Sequence, residues 1–308
     1  MPKPLVSICC LAYNHEPYIR ECLEGFIMQK TKFSFEILIH DDASIDHTAN
    51  IIREYEAKYP EVVKPIYQTE NQYSKGVSIT FVYQFARAKG KYIAICEGDD
   101  YWIDPYKLQK QLDFLEANED YGAVFTDADH LIQKTDKLIK SYDKKHRRQI
   151  PTGEVFKELL YCSPYKTCTA FFHRELIKNV NYQFLNNKRF LMGDKIIWLH
   201  IAANKKIGYL NESTAVYRVL ESSASNFDNM NGYISFYDSS NQISKCFALH
   251  YGVPINEEYQ KSQLNRLIAT RYLNRGNYKL ALKYSNSFSL LAIIFFKEKI
   301  ARKILNLF

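Results

Sequence analysis

The chain has 308 residues, 46% of them hydrophobic and 24% charged, which is the composition of a globular protein with one large domain or two smaller ones. Its formal charge of +7 is uneven: from Asn241 onward, 11 Lys and Arg stand against 3 acidic residues. The body is therefore near neutral, which excludes a nucleic-acid-binding body and leaves a basic tail suited to something anionic.

Leu5–Ala12 is an apolar run and predicts a buried strand. Asn14 is expected to cap the helix that follows, whose stripe is Ile19, Cys22, Leu23, Phe26 and Ile27. Phe35–His40 predicts a second strand ending at Asp41-Asp42. A helix is expected from about Asp46, with Ile51, Ile52 and Tyr55 inward, and a third strand over Val62–Tyr67. Ser78–Ala88 reads as a helix stopped by Gly90 acting as a C-terminal glycine. Tyr92–Cys96 is the fourth strand. Asp104-Pro105 opens a helix with the stripe Leu108, Leu112 and Leu115, and Ala123–Thr126 is a short fifth strand. The polar stretch from Asp129 to Ile150 predicts a hairpin or a mobile loop.

Further elements are expected as a helix near Glu154–Tyr161, a strand near Thr167–Phe172 and a helix over Lys195–Ala203. Two strands follow, Ile207–Leu210 and Ala215–Val219, and helices alone after about Ser225. Apolar strands alternating with helices predict an α/β fold, a mostly parallel sheet covered on both faces, with a helical C-terminal extension. Residues 1–225 are expected to form the catalytic domain, divided near residue 115, and 226–308 the helical region.

The start, MPKPLVSICC, runs straight into a strand and lacks the pattern of a secretory signal. The seven cysteines show no CxxC pair and read as reduced core residues of a cytosolic protein. The longest apolar run, Phe288–Phe296, is about half of the roughly 20 residues a membrane-spanning helix needs. With the basic residues after it, it predicts peripheral docking of residues 285–308 on an anionic membrane face, or else packing on protein.

Ligands on parallel sheets bind beyond the carboxyl ends of the strands. Here those ends carry Ala12-Tyr13-Asn14, Asp41-Asp42 and Glu97-Gly98-Asp99-Asp100. Three crowded carboxylates repel one another and raise one another's pKa, so a cation is expected among them. Hard oxygen ligands suit Mg2+ or Mn2+, held by one or two carboxylates and by substrate phosphates. Gly98 is expected to let that ligand approach the backbone. The plainer alternative is a solvated acidic turn before the helix at Asp104.

VSICCLAYN (Val6–Asn14), ILIHDDASIDHT (Ile37–Thr48) and CEGDDYW (Cys96–Trp102) occur in this order at strand ends. Together they resemble the family-two inverting glycosyltransferases of the A-type nucleotide-diphospho-sugar transferase fold, over roughly Pro4–Leu220. The resemblance implies that Tyr13 and the Leu11 backbone frame the nucleotide base and that Asp42 accepts the uracil N3–H. It implies that Glu97 faces the ribose, Asp99 ligates the metal and Asp100 helps position metal or donor sugar. Glu97 stands where the family more often has Asp, and Ala43 where it has Gly. Tyr101 and Trp102 either wall the sugar pocket, where Trp102 would meet the donor sugar, or pack beneath the loop.

Two more segments match. LMGDKIIWLHIAANKKIGYL (Leu191–Leu210) resembles the acceptor-side segment and offers Asp194 as catalytic base, though a helix cap is the competing reading. VYRVLESSASN (Val216–Asn226) resembles the segment over the donor phosphates, with Arg218 on the diphosphate and Leu220 where a His is common. The implied activity is metal-dependent transfer of a sugar from a UDP-sugar to a saccharide or lipid-linked saccharide, in bacterial surface polysaccharide assembly. Asp127 and Asp129 are the reserve candidates for the base. The competing classes are a nucleotidyltransferase or metal phosphohydrolase using the same acids, and a binding subunit without turnover. No GxSxG, GxxxxGK[ST] or HExxH occurs.

Overall fold

The computed structural model describes residues 3–178, 180, 190–220 and 229–285. The chain divides into two compact units, Met1–Glu221 and Ser222–Phe308. The segment expected to dock on a membrane, residues 285–308, lies outside the described residues apart from Ser285. No helix among the described residues is long and apolar enough to cross a membrane. All seven cysteines are free thiols.

The first unit opens with β1 (Val6–Ala12), α1 (Ile19–Ile27), β2 (Phe35–Asp41), α2 (Thr48–Lys58) and β3 (Val63–Tyr67). A π-helical stretch, Thr80–Phe85, leads to β4 (Tyr92–Ile95), β5 (Tyr101–Trp102) and α3 (Lys107–Ala117). Then come β6 (Tyr121–Ile132), β7 (Lys137–Ile139), α4 (Tyr142–Lys145), α5 (Phe156–Leu159), β8 (Phe171–His173), α6 (Gly193–Asn204) and β9 (Lys206–Val219). The strands lie side by side as β3-β2-β1-β4-β8-β6-β9-β5, with β7 paired to β6. β1, β2, β3 and β4 are parallel, and β6 and β9 are parallel, while β8 runs antiparallel between β4 and β6.

The continuously apolar strands make the core. Val6, Ile8, Ile37, Ile39 and Ala94 pack with Ile19, Leu23 and Phe26 of α1, Ile52 and Tyr55 of α2, and Leu108, Leu112 and Leu115 of α3. Each of those stripes falls on one helix face, so burying it there removes the apolar area from water at about 25 cal/mol per Å2. A second set of rings gathers about Phe125, stacked on Tyr165 at 4.3 Å and edge-on to Trp198 at 4.7 Å.

Several expectations are corrected. Asn14 does not cap α1: its φ is +55°, its side-chain oxygen accepts the Ile45 N–H at 2.9 Å, and α1 starts only at Ile19. Gly90 is not a left-handed helix terminator. Its N–H donates to Ser7 Oγ at 2.9 Å, and a Cβ there would lie 2.6 Å from the backbone nitrogen of Ser7. Because the obstacle is backbone, Gly90→Ala is expected to destabilise the chain by about 1–3 kcal/mol, read as a lowered Tm.

The fifth strand is 12 residues long rather than four, because the Asp129–Ile150 stretch begins as strand and turns back through β7 as a hairpin. The two strands expected after residue 206 are one, β9, whose pairing with β6 shifts register near Thr126 and Asp127.

Lys107 is fully buried, with its ammonium 2.5 Å from Gln111 Oε1 and 4.3 Å above the Trp102 ring. Burial pushes its pKa from the ordinary 10.5 down to about 7. Between those two values the unfolded chain holds a proton that the folded chain lacks, so this group's contribution to stability rises with pH. Lys107→Met is therefore expected to compare best with the parent near pH 6–7, and its Tm should fall relative to the parent as pH climbs to 9.5. Parallel Tm curves for the two proteins would contradict this.

The second unit holds α7 (Met230–His250), α8 (Glu257–Asn274) and α9 (Tyr278–Lys283). Each is started by an asparagine whose side chain accepts a first-turn N–H: Asn229 from Gly232, Asn256 from Tyr259 and Asn277 from Leu280.

Candidate active site at the strand ends

The carboxyl ends of β1, β2 and β4 converge through their own backbones. The Asp42 N–H donates to Ala12 O at 2.9 Å, and the Gly98 N–H donates to Leu11 O at 2.9 Å. Tyr13 stands 44% exposed just past β1. A side chain at Gly98 would meet His15 Nδ1 at 2.8 Å and Leu11 O at 3.2 Å. Gly98 is thus needed for close packing of its own turn on β1, which corrects the expectation that it clears space for a ligand.

Asp42 is buried, and its two oxygens accept the backbone N–H groups of Gln72 and Tyr73 at 2.8 and 3.1 Å. His40 Nε2 lies 3.5 Å from Asp42 Oδ1. A carboxylate offers about four acceptor positions, so Oδ2 keeps one beyond the Tyr73 N–H it holds, while Oδ1 is faced by both the Gln72 N–H and His40. Ala43 has φ +62°, a left-handed position that explains why glycine is the easier residue there.

Beyond β4 the three acids differ. Asp100 is buried and accepts the Arg218 N–H at 2.7 Å, which ties the turn to the end of β9. Burial, and then the charges of Asp99 and Glu97, hold its pKa well above the usual carboxylate range. Glu97 is half-buried, and burial followed by the Asp99 charge pushes its pKa up to about 8. Asp99 is half-buried, and among the described residues no hydrogen bond to its carboxylate is seen. One uncommitted carboxylate beside two acids that favour their protons is a donor set for a hard divalent cation. Among the described residues no three His, Cys, Asp or Glu side chains converge as a ready cage. The fit is to a cation arriving with substrate phosphate oxygens as its other ligands.

Asp194 sits in the first turn of α6. Its Oδ1 accepts the Lys195 N–H at 2.8 Å and its Oδ2 the Thr167 hydroxyl at 3.3 Å. Burial raises its pKa, and its charge in turn raises that of Glu97, so the two acids lie within electrostatic reach. A half-buried carboxyl with a raised pKa is suited to taking a proton.

Trp102, expected beside the donor sugar, is instead a core residue. It is 2% exposed, its Nε1 donates to Cys168 O at 2.8 Å, and its ring meets Phe26 edge-on at 4.7 Å. Arg218, expected on the diphosphate, is 4% exposed with its guanidinium turned onto Glu21 and onto Gln133 Oε1 at 3.0 Å. Asp127 and Asp129 are removed as reserve bases. Asp127 accepts the N–H groups of Ala128, Asp143 and Lys144, and Asp129 accepts the Ser141 N–H and the Ser213 hydroxyl. Both hold the turn before α4 in place.

Two residues at this edge were not singled out from sequence. His15 has a buried Nδ1 without a hydrogen-bond partner beside Gly98, and Asp41 has a buried, unpartnered Oδ1. Their only sequence signal is adjacency to Asn14 and Asp42.

Residues 7–180 match the family model described as "Glycosyl transferase family 2". The uncharacterized protein Rv1520 of Mycobacterium tuberculosis is 46% identical over 120 residues, 39% of this chain and 34% of that protein. The aligned part thus spans about a third of the length of that relative. The Escherichia coli protein named UDP-Glc:alpha-D-GlcNAc-diphosphoundecaprenol beta-1,3-glucosyltransferase WfaP is 28% identical over 222 residues, 72% of this chain and 80% of that one. Among solved structures, Staphylococcus aureus TarS 1–349 in complex with UDP-GlcNAc superposes with a TM-score of 0.57 at 18% identity, covering 87% of this chain and 72% of that one. The mannosyltransferase PcManGT from Pyrobaculum calidifontis, in complex with GDP-Man and Mn2+, superposes with a TM-score of 0.55 at 16% identity, covering 98% and 81%. At these identities the two structures share the fold.

Proposed function

This chain belongs to glycosyl transferase family 2, and from that premise we propose that it moves a sugar from a nucleotide-diphospho-sugar, by preference a UDP-sugar, to an acceptor hydroxyl with inversion at the anomeric carbon. The observation that carries the reading is the carboxylate edge past β4, where Asp99 keeps a free carboxylate beside Glu97 and Asp100, with Asp194 in electrostatic reach. Tyr13 and the Leu11 backbone frame the base, Asp42 accepts a ring N–H through its remaining lone pairs, and Glu97 faces the ribose. Asp99 holds the divalent cation, Mn2+ or Mg2+, and Asp100 orients the donor side. When bound, that cation would offset the negative charge that builds on the leaving diphosphate. Asp194 takes the proton of the acceptor hydroxyl as it attacks. Arg218 joins the diphosphate only by giving up Glu21 and Gln133.

Residues 1–225 form the catalytic domain in this reading, with the nucleotide half before residue 116. The acceptor is a saccharide or a lipid-linked saccharide of a surface polysaccharide, a reading supported by the diphosphoundecaprenol-linked substrate that WfaP is named for. Residues 285–308 dock on the inner face of the cytoplasmic membrane. Liposome flotation of the full chain and of a chain ending at residue 284 tests that last point, and equal recovery would contradict it. The activity itself is tested by incubating the protein with Mn2+, UDP-sugars and saccharide acceptors. UDP release that requires acceptor supports transfer, whereas rapid phosphate release without acceptor would favour a phosphohydrolase.

Uridine over adenosine follows from Asp42, because adenine has no ring N–H to offer a carboxylate; uridine over guanosine, whose ring N1–H could also donate, rests on the family resemblance. Calorimetry with UDP, GDP and ADP in Mn2+ is expected to rank UDP first. Tighter GDP binding, the nucleotide type held by PcManGT, would overturn the assignment.

A further inference from the structure

Beside the strand-end site, sharing Arg218 with it but none of Tyr13, Asp42, Glu97, Asp99 or Asp194, lies a cavity of about 520 Å3. Its walls include Tyr18 and Glu21 from the start of α1, Tyr101 of β5, Gln133 after β6, Leu138 of β7 and Arg218 of β9. The volume falls within the ~300–1,000 Å3 usual for small-molecule sites. Arg218 is 4% exposed, with its guanidinium 5.0 Å from the Tyr18 ring and 4.8 Å from the Tyr101 ring. Its Nε is buried and has no hydrogen-bond partner. A buried donor left unsatisfied is costly, and a ligand acceptor would remove that cost.

The remaining chemistry narrows the ligand. Glu21 and Asp136 also line the cavity, so two carboxylates face one guanidinium that Glu21 already engages. A phosphate or other anion is disfavoured by that balance. Carboxylates, an amide and an arginine are partners for hydroxyl groups, while Tyr18, Tyr101 and the 42%-exposed Leu138 offer apolar faces. We infer that this cavity is a saccharide subsite, distinct from the nucleotide site, that takes one neutral pyranose ring of a glycan. Arg218 is the one residue shared with the proposed donor site, here in the position that holds Glu21 and Gln133; none of the cavity's residues is the cation ligand or the base.

Saturation-transfer-difference NMR on the full chain, with cellobiose, maltose and N,N′-diacetylchitobiose as probes, tests it. At least one probe should be saturated by the parent protein, equally so with UDP and Mn2+ present and in Asp99→Asn. Leu138→Arg, a change at an exposed rim that leaves the core untouched, should weaken that probe roughly five- to tenfold, and Tyr18→Ala by a similar factor, the worth of one aromatic contact. No saturation from any probe would overturn the subsite. So would saturation that UDP abolishes, or that both rim variants leave unchanged.

Discussion

Asp99→Asn is expected to abolish sugar transfer and to weaken UDP binding in Mn2+ by at least ~10–100-fold, the scale of losses when a metal's supporting groups are altered. The substitution changes an acid whose carboxylate carries no hydrogen bond among the described residues. It therefore breaks nothing in the fold. It also removes the charge that helps raise the pKa of Glu97 and of Asp100, so the free protein should be as stable as the parent or more so. A variant with unchanged Tm, no transfer and weak UDP binding is the expected result. Transfer within a few-fold of the parent would remove Asp99 from the cation site.

Asp194→Asn should act differently. Asn keeps the size of Asp and one acceptor oxygen for the Lys195 N–H or the Thr167 hydroxyl, so folding and UDP affinity should change little. What it loses is the ability to take a proton, and transfer should fall by about 10²–10⁴-fold, the usual worth of a general base. A binding defect at Asp99 and a pure rate defect at Asp194 is the pattern that separates their roles. If Asp194→Asn instead loses stability and keeps its turnover, the carboxylate only starts α6. Asp127 and Asp129 cannot then replace it, since the turn before α4 already occupies them.

How much of this was legible follows from what each residue is surrounded by. β1 and β4 are apolar on both sides apart from Ser7, and β2 has the apolar centre Ile37-Leu38-Ile39, runs with few readings other than a buried parallel strand. The helices beside them carry stripes at helical spacing, so Ile19, Leu23, Phe26 and Leu108 were placed inward from sequence and are buried. The edge was legible for the same reason: polar groups begin where those runs stop.

β6 was cut short because Asp127, Asp129 and His130 look like loop residues. They are buried because a turn 12 or more residues later supplies N–H donors to both aspartates, and Tyr142 stacks on His130 at 3.6 Å. That compensation is non-local and leaves no local signature. Trp102 was misplaced for a related reason. Sequence puts it next to two acids, but its side chain points the other way, into Phe26 and the Cys168 carbonyl. Gly90 shows the reverse case, a glycine with an ordinary local explanation and a different tertiary cause.

The most direct test of the account is electron paramagnetic resonance of Mn2+ titrated into the protein with UDP. The free-ion signal should fall when the parent protein and UDP are both present, and much less with either alone. It should stay near the protein-free level when Asp99→Asn replaces the parent. Loss of signal that is equal in Asp99→Asn, or no loss with the parent and UDP together, would contradict the claim that the edge past β4 holds a metal nucleoside diphosphate.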